Sequence, residues 1–91
     1  MRSERLRNYY RNKVVLVTGA SSGIGRALSF ELSKFHPRLV LLARNVHKLE
    51  EIALKISTVT EVLYKKCDVK DPEDIRKAVA ETMERWQRID L

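Results

Sequence analysis

The segment Thr18-Gly19-Ala20-Ser21-Ser22-Gly23-Ile24-Gly25 limits the folds open to this chain more than any other stretch. It follows an apolar run, Val14-Val15-Leu16-Val17, with the make-up of a strand buried on both faces. It leads into a helix-periodic run in which Ile24, Leu28 and Phe35 fall on one face. A glycine-rich turn between a strand and a helix cradles the pyrophosphate of a dinucleotide, because backbone N–H groups and the positive end of the helix dipole converge there. Gly19 then allows the tight turn, Gly23 lets the backbone approach phosphate, and Gly25 lets the helix pack close to the strand. The spacing is G-x-x-x-G-x-G rather than the commoner G-x-G-x-x-G.

Strand and helix signals alternate from there. Residues 13–18 read as the first strand and 23–35 as the first helix, which His36-Pro37 ends because proline disfavours helical geometry in the residue before it. Residues 39–43 form a second continuous apolar strand. Val46, Leu49, Ile52, Ala53 and Ile56 recur at helical spacing. Residues 61–69 read as a third strand. Asp71-Pro72 then caps and starts a third helix, with Ile75, Val79, Thr82 and Trp86 on one face. Ile89-Asp90-Leu91 has the character of a fourth strand's beginning. This alternation predicts an α/β fold, a Rossmann-like doubly wound parallel sheet cut short as β-α-β-α-β-α. In the order 3-2-1-4 the first strand is central, and its apolar sequence suits that place and not an exposed edge. The chain is therefore expected to be the N-terminal half of a dinucleotide-binding domain over residues 13–91, part of a longer protein.

The net charge of +6 raises the possibility of a nucleic-acid partner, so its location matters. Arg2, Arg5, Arg7, Arg11 and Lys13 stand against Glu4 alone, a surplus of four within the first thirteen residues. Residues 1–12 thus read as a basic leader, expected as a solvated tail, and no basic face runs through the rest. With the excess charge gathered in that leader, a nucleic-acid partner is not expected. No apolar run is long enough for a membrane span. The lone Cys67 excludes an internal disulfide and suits a reducing, cytoplasmic setting. No Cys/His cluster points to a metal.

The end of the second strand bears on which dinucleotide would be held. An acidic residue about 20 positions past the glycine loop accepts the ribose hydroxyls of NAD. Here the residues are Ala43-Arg44-Asn45, and the Arg44 guanidinium offers a planar fork of donors suited to phosphate. Ser21 and Ser22 could add hydroxyl donors to the same group. The competing reading, an arginine merely solvated at a helix start, is weakened because the helix dipole disfavours a cation there.

The T18-G-A-S-S-G-I-G25 loop, A43-R-N45 and D68-V69 together resemble the short-chain dehydrogenase/reductase family, over about residues 12–91. The resemblance implies an NADP(H)-dependent oxidoreductase acting on an alcohol or carbonyl substrate, with Arg44 in the position that marks NADP users. It implies that Asp68 hydrogen-bonds the adenine amino group beside Val69, and that Ile24 offers its N–H to the pyrophosphate while its side chain packs. The cofactor set so expected is Gly19, Ser21, Ser22, Gly23, Ile24, Gly25, Arg44, Asn45, Asp68 and Val69. The family's catalytic serine and Tyr-x-x-x-Lys pair have no counterpart at the matching place. Tyr9…Lys13 has that spacing but lies ahead of the first strand, so no catalytic residue is assigned. A full-length form would be expected to self-associate. The other reading kept open is a non-catalytic nucleotide-binding sensor or scaffold.

Overall fold

The computed structural model describes residues 2–91. In chain order the elements are α1 (Arg2–Tyr10), β1 (Val14–Thr18), α2 (Gly23–Ser33), β2 (Arg38–Ala43), α3 (Val46–Ile56), β3 (Val62–Lys66) and α4 (Pro72–Trp86). The three strands form one parallel sheet in which β2 lies between β1 and β3. Register runs from Val14 opposite Arg38 to Thr18 opposite Leu42, and from Leu39 opposite Val62 to Ala43 opposite Lys66. The continuous apolar run of β2 follows from this place: Leu39 to Ala43 are all buried, since helices cover both faces of a parallel sheet.

The alternation of side chains along each strand divides the core in two. On one face Val15, Val17, Leu39 and Leu41 pack with Leu49, Ile52, Ala53 and Ile56 of α3 and Leu32 of α2. On the other, Val14, Val40, Leu42 and Cys67 pack with Ala78 of α4, beside the partly buried Leu16, Leu63 and Trp86. Helices on opposite faces of a 3-2-1 sheet make the Rossmann-like, doubly wound half expected from the sequence. Burial of a leucine the size of Leu39, Leu41 or Leu49 stabilises by about 1.5–3 kcal/mol.

Two helix faces differ from the periodicity reading. In α2, Ile24 is 88% exposed and Leu28 is also exposed, while the buried residues are Ser29, Leu32 and Ser33. Ser29 and Ser33 thus share the inner face of α2 with Leu32. Their hydroxyls are satisfied within the helix, Ser29 Oγ donating to the Gly25 carbonyl at 2.7 Å and Ser33 Oγ to that of Phe30 at 2.7 Å. The helix also stops at Ser33, short of Phe35, and His36 turns out at φ 59 ahead of the buried Pro37. In α4 the buried pair is Ala78 and Thr82, whereas Ile75 and Val79 stay exposed. The Asp71–Pro72 start is as expected, with the Asp71 carboxylate accepting from the Glu73 N–H at 3.0 Å.

The basic leader is more ordered than a solvated tail. Its residues form α1, and Tyr10 packs against the core with its ring stacked on Phe35 at 6.1 Å. Tyr9 meets Tyr10 edge-on at 4.9 Å, and the Lys13 ammonium lies 5.1 Å over the Tyr9 ring. Asn12 at φ 68 ends the helix, a left-handed position that asparagine tolerates. Met1 lies outside the described residues.

The last residues run along the free edge of β1, in its direction. The Asp90 N–H donates to the Val14 carbonyl at 2.9 Å, and the Leu16 N–H to the Leu91 carbonyl at 2.8 Å. The Asp90 carboxylate accepts from the Val14 N–H at 2.8 Å and from the Arg88 guanidinium at 2.9 and 2.8 Å. The expected fourth-strand segment thus pairs with β1, although it is too short to be a strand of its own. Hydrogen bonds from Arg88, then from Val14, hold the Asp90 carboxyl below the usual carboxylate range. A depressed folded-state pKa adds stability above the ordinary carboxylate pKa that is lost as pH falls through the folded value. Asp90→Asn is therefore expected to lower the thermal midpoint at neutral pH and to flatten its decline between about pH 5 and 2, read by circular dichroism. An unchanged acid limb would contradict this role.

Candidate cofactor site

The glycine loop is shaped by two backbone demands. Gly19 (φ 61) and Gly23 (φ 55) occupy the left-handed region, where a side chain is strained. Neither has an atom within 4 Å of where a Cβ would sit, so at both positions the requirement is conformational. Gly25 differs. A Cβ there would lie 2.2 Å from the Gly19 carbonyl oxygen and 3.0 Å from that of Thr18, so the first turn of α2 rests directly on the loop backbone. The loop is also tied to the sheet, the Ala20 N–H donating to the Leu42 carbonyl at 3.1 Å.

This geometry leaves the start of α2 open. Ser22 is the N-cap residue, extended at φ −156 and ψ 164, and its side chain makes no capping hydrogen bond. In contrast, Asn45 caps α3 by accepting from the Lys48 N–H at 3.2 Å, and Asp71 caps α4. First-turn N–H groups without a side-chain cap are donors available to an anion, at the positive end of the dipole.

Two hollows flank the loop. The first, of about 230 Å³, lies at the C-terminal ends of the strands and is lined by Gly19, Ala43, Arg44, Cys67, Asp68 and Val69 among others. That is where an open α/β sheet binds its ligands. Arg44 is exposed and joins no ion pair among the described residues. Asp68 is half-buried; its Oδ1 accepts from the Lys70 N–H at 2.9 Å, and its own N–H donates to Asp74 Oδ2 at 3.1 Å. Its second carboxylate oxygen is not used in that turn. Val69, 52% exposed, supplies an apolar wall. The second hollow, a cleft of about 350 Å³ between α2 and α3, is lined by Ser21, Ser22 and Gly23 together with residues of both helices.

Of the expected set, Gly19, Arg44, Asp68 and Val69 come together in the first hollow, while Ser21, Ser22 and Gly23 line the second. The two serines therefore stand on the other side of the loop from Arg44. Ile24 departs from expectation, because its side chain projects into solvent; only its backbone can serve the loop. The Asn45 side-chain oxygen is already engaged as a cap. Cys67, read from sequence as a small core residue, is buried and also floors the first hollow. Burial pushes its thiol pKa up, and the carboxylates of Asp74, Asp68 and Asp71 act in the same direction. Arg26 and Lys48 also line the second hollow, although nothing in the sequence pattern singles them out.

The comparisons agree with this geometry. Residues 13–91 match the family model described as short chain dehydrogenase. An uncharacterized oxidoreductase of Listeria monocytogenes is 43% identical over 81 residues, which cover 88% of this chain and 33% of that protein. The solved alcohol dehydrogenase of the archaeon Thermococcus sibiricus, complexed with 5-hydroxy-NADP, superposes with a TM-score of 0.83 at 35% identity over 88% of this chain and 35% of that one. A short-chain dehydrogenase/reductase from Burkholderia phymatum, in complex with NAD, has the same fold at a TM-score of 0.83 and 23% identity, over 88% of this chain and 29% of that one. With a parallel sheet, a glycine loop and a strand-end hollow, the molecule is of the nucleotide-binding α/β class. The chain belongs to the short-chain dehydrogenase family, and spans about a third of the length of the Listeria relative. Helix α1 lies ahead of the matched residues.

The contact at Gly25 gives a direct test. Gly25→Ala would drive a methyl group into the Gly19 carbonyl, which is backbone and cannot rotate away, so a loss of about 1–3 kcal/mol is expected in urea denaturation. A change below about 0.5 kcal/mol would show that α2 is free to move off the loop.

Proposed function

We propose that residues 13–91 are the NADP(H)-binding half of a dinucleotide-binding domain in an oxidoreductase that oxidises an alcohol or reduces a carbonyl group, with residues 1–12 as a basic leader. The observation that carries this reading is the pairing of Arg44 with the absence of any carboxylate at Ala43–Asn45, on the rim of the hollow that also contains Gly19 and Asp68. A carboxylate at that place would repel a 2′-phosphate, whereas a guanidinium with no protein counter-ion attracts one. Among the solved relatives the Thermococcus enzyme holds an NADP derivative and the Burkholderia one NAD, so the preference rests on Arg44.

In this reading the cofactor, when bound, supplies hydride transfer at its nicotinamide ring. The chain's own residues bind and orient it. The uncapped first turn of α2, from Gly23 to Gly25, donates backbone hydrogen bonds to the pyrophosphate. Arg44 pairs with the 2′-phosphate, with Asn45 fixing the helix start beside it. Asp68 accepts from the adenine amino group through the oxygen left over from its turn, and Val69 lies against the ring. Tyr9 and Lys13 have no part in proton transfer: they precede β1, at the end of the strand opposite the hollow, and are held against each other and Tyr10. No catalytic role is assigned to this chain's residues.

The test is the dissociation constant of NADPH against that of NADH, followed by nicotinamide fluorescence. A charge-assisted hydrogen bond is worth about 1.5–3 kcal/mol, so NADPH is expected to bind roughly 10-fold tighter or better. Arg44→Ala should remove most of that preference and leave NADH nearly unaffected. Equal constants in the wild type would contradict the reading; a parallel loss of both cofactors in the variant would assign Arg44 a structural role.

A further inference from the structure

The turn that carries Asp68 is held from outside by one side chain. The Cys67 N–H still bonds the sheet, donating to the Ala43 carbonyl at 2.9 Å. The chain then turns over residues 68–71, where the Asp71 N–H donates to the Asp68 carbonyl at 2.9 Å and the Lys70 N–H to Asp68 Oδ1 at 2.9 Å. Both of those bonds are local and tie the turn only to itself. The Asp68 N–H reaches further: it donates to Asp74 Oδ2 at 3.1 Å, in the first turn of α4. One turn along that helix Ala78 is buried with Val40, Leu42 and Cys67, so Asp74 stands on an element fixed to the sheet.

The start of α4 is already served without Asp74. Asp71 caps the helix by accepting from the Glu73 N–H, and Glu73, the other acidic residue of the first turn, pairs with Arg76. A carboxylate anywhere in that turn suits the helix dipole, and Glu73 supplies one. Asp74 is half-buried, joins no ion pair among the described residues, and holds the N–H of a residue with the same charge as its own. What distinguishes it is direction, since its side chain turns back past the cap to the end of β3. With the Asp68 N–H and carbonyl both engaged, the direction of its side chain is set. Oδ1 then accepts from Lys70, and the other oxygen is left for the hollow that Asp68 lines with Gly19 and Val69.

We infer that Asp74 is a positioning residue for base recognition: by holding the Asp68 N–H from α4 it aims the unused Asp68 oxygen into the strand-end hollow, and so sets the discrimination between a 6-amino and a 6-oxo purine in the dinucleotide. Asp74 itself touches no ligand. A 6-amino group donates to a carboxylate oxygen, whereas a 6-oxo group presents a second acceptor and leaves that oxygen unpaired. The inference rests on the Asp68–adenine contact in the reading above and is independent of the choice between NADP(H) and NAD(H).

Dissociation constants of NADPH and of its hypoxanthine analogue, in which a carbonyl replaces the adenine amino group, test this on wild type, Asp74→Ala, Asp74→Asn and Asp74→Glu. Wild type is expected to bind the adenine form about 10-fold tighter. Asp74→Ala should reduce that preference to about 2-fold or less, chiefly by weakening the adenine form. Asp74→Asn keeps an acceptor oxygen at the same reach and should retain most of the preference. Asp74→Glu keeps the charge on a longer stem and should lose it. The reverse order, lost in Asn and kept in Glu, would show that charge at the helix start is what matters, and the inference fails. It fails too if Asp74→Ala leaves the preference unchanged, whether both affinities fall together or neither does. Should Asp74→Ala not fold, as read by circular dichroism, the Asn and Glu variants decide. A wild type that does not distinguish the two bases removes the Asp68 contact and the role of Asp74 together. The same comparison with NADH and its hypoxanthine analogue should give an equal base preference, so a failure of base recognition is told apart from a failure of the NADP(H) reading, which the NADPH-to-NADH ratio reports.

Discussion

The close contact between Gly25 and the carbonyl of Gly19 is the constraint on which the rest of this structure depends. With no side chain at Gly25, the first turn of α2 rests directly on the backbone that leaves β1. The position of the helix start is thereby set, and the inner face of α2 carries Ser29 and Ser33 beside Leu32. Those serines direct their hydroxyls back to carbonyls of their own helix, which avoids unsatisfied polar groups under a helix packed this tightly. The left-handed turns at Gly19 and Gly23 serve the same approach, reversing the chain within a few residues.

Charge is distributed around this loop in a way that suits a phosphate-rich ligand. The α2 start lacks a side-chain cap, whereas α3 and α4 are each capped by their own residues, so unused donors gather at one place. Arg44 stands on one side of the loop and Lys48 and Arg26 on the other. Much of the chain's remaining positive charge lies on α1, at the far end of β1, where aromatic contacts with Tyr10 and Phe35 seat it on the core. Helix α1 and the loop are therefore separate electrostatic features, although both contribute to the net +6.

Most of the fold was legible in the sequence because its strongest signals are the ones the sheet enforces. A strand covered on both faces must be apolar throughout, and Leu39 to Ala43 could be placed on that ground alone. Asp71-Pro72 marked its helix start for a similarly local reason. Periodicity misled where packing is governed by distance instead of hydrophobicity. Ile24 and Leu28 look like an inward stripe, yet the tight approach of α2 turns serines inward and leaves those side chains outside. The leader's charge hid its helix, because Tyr10 holds it by a contact with Phe35, 25 positions along the chain. In the site, the glycines and Arg44 were visible as spacing, but the division of Ser21 and Ser22 from Arg44 depends on which side of the loop each faces, and a linear pattern does not carry that.

A dinucleotide pyrophosphate bound at the uncapped turn Gly23–Gly25 would perturb those three amides before any others. Backbone amide NMR during titration with NADPH reads this directly. The largest shifts are expected on the amides of Gly23, Ile24 and Gly25, with smaller ones at Arg44 and Asp68. Saturable binding that leaves the three loop amides unmoved would contradict it.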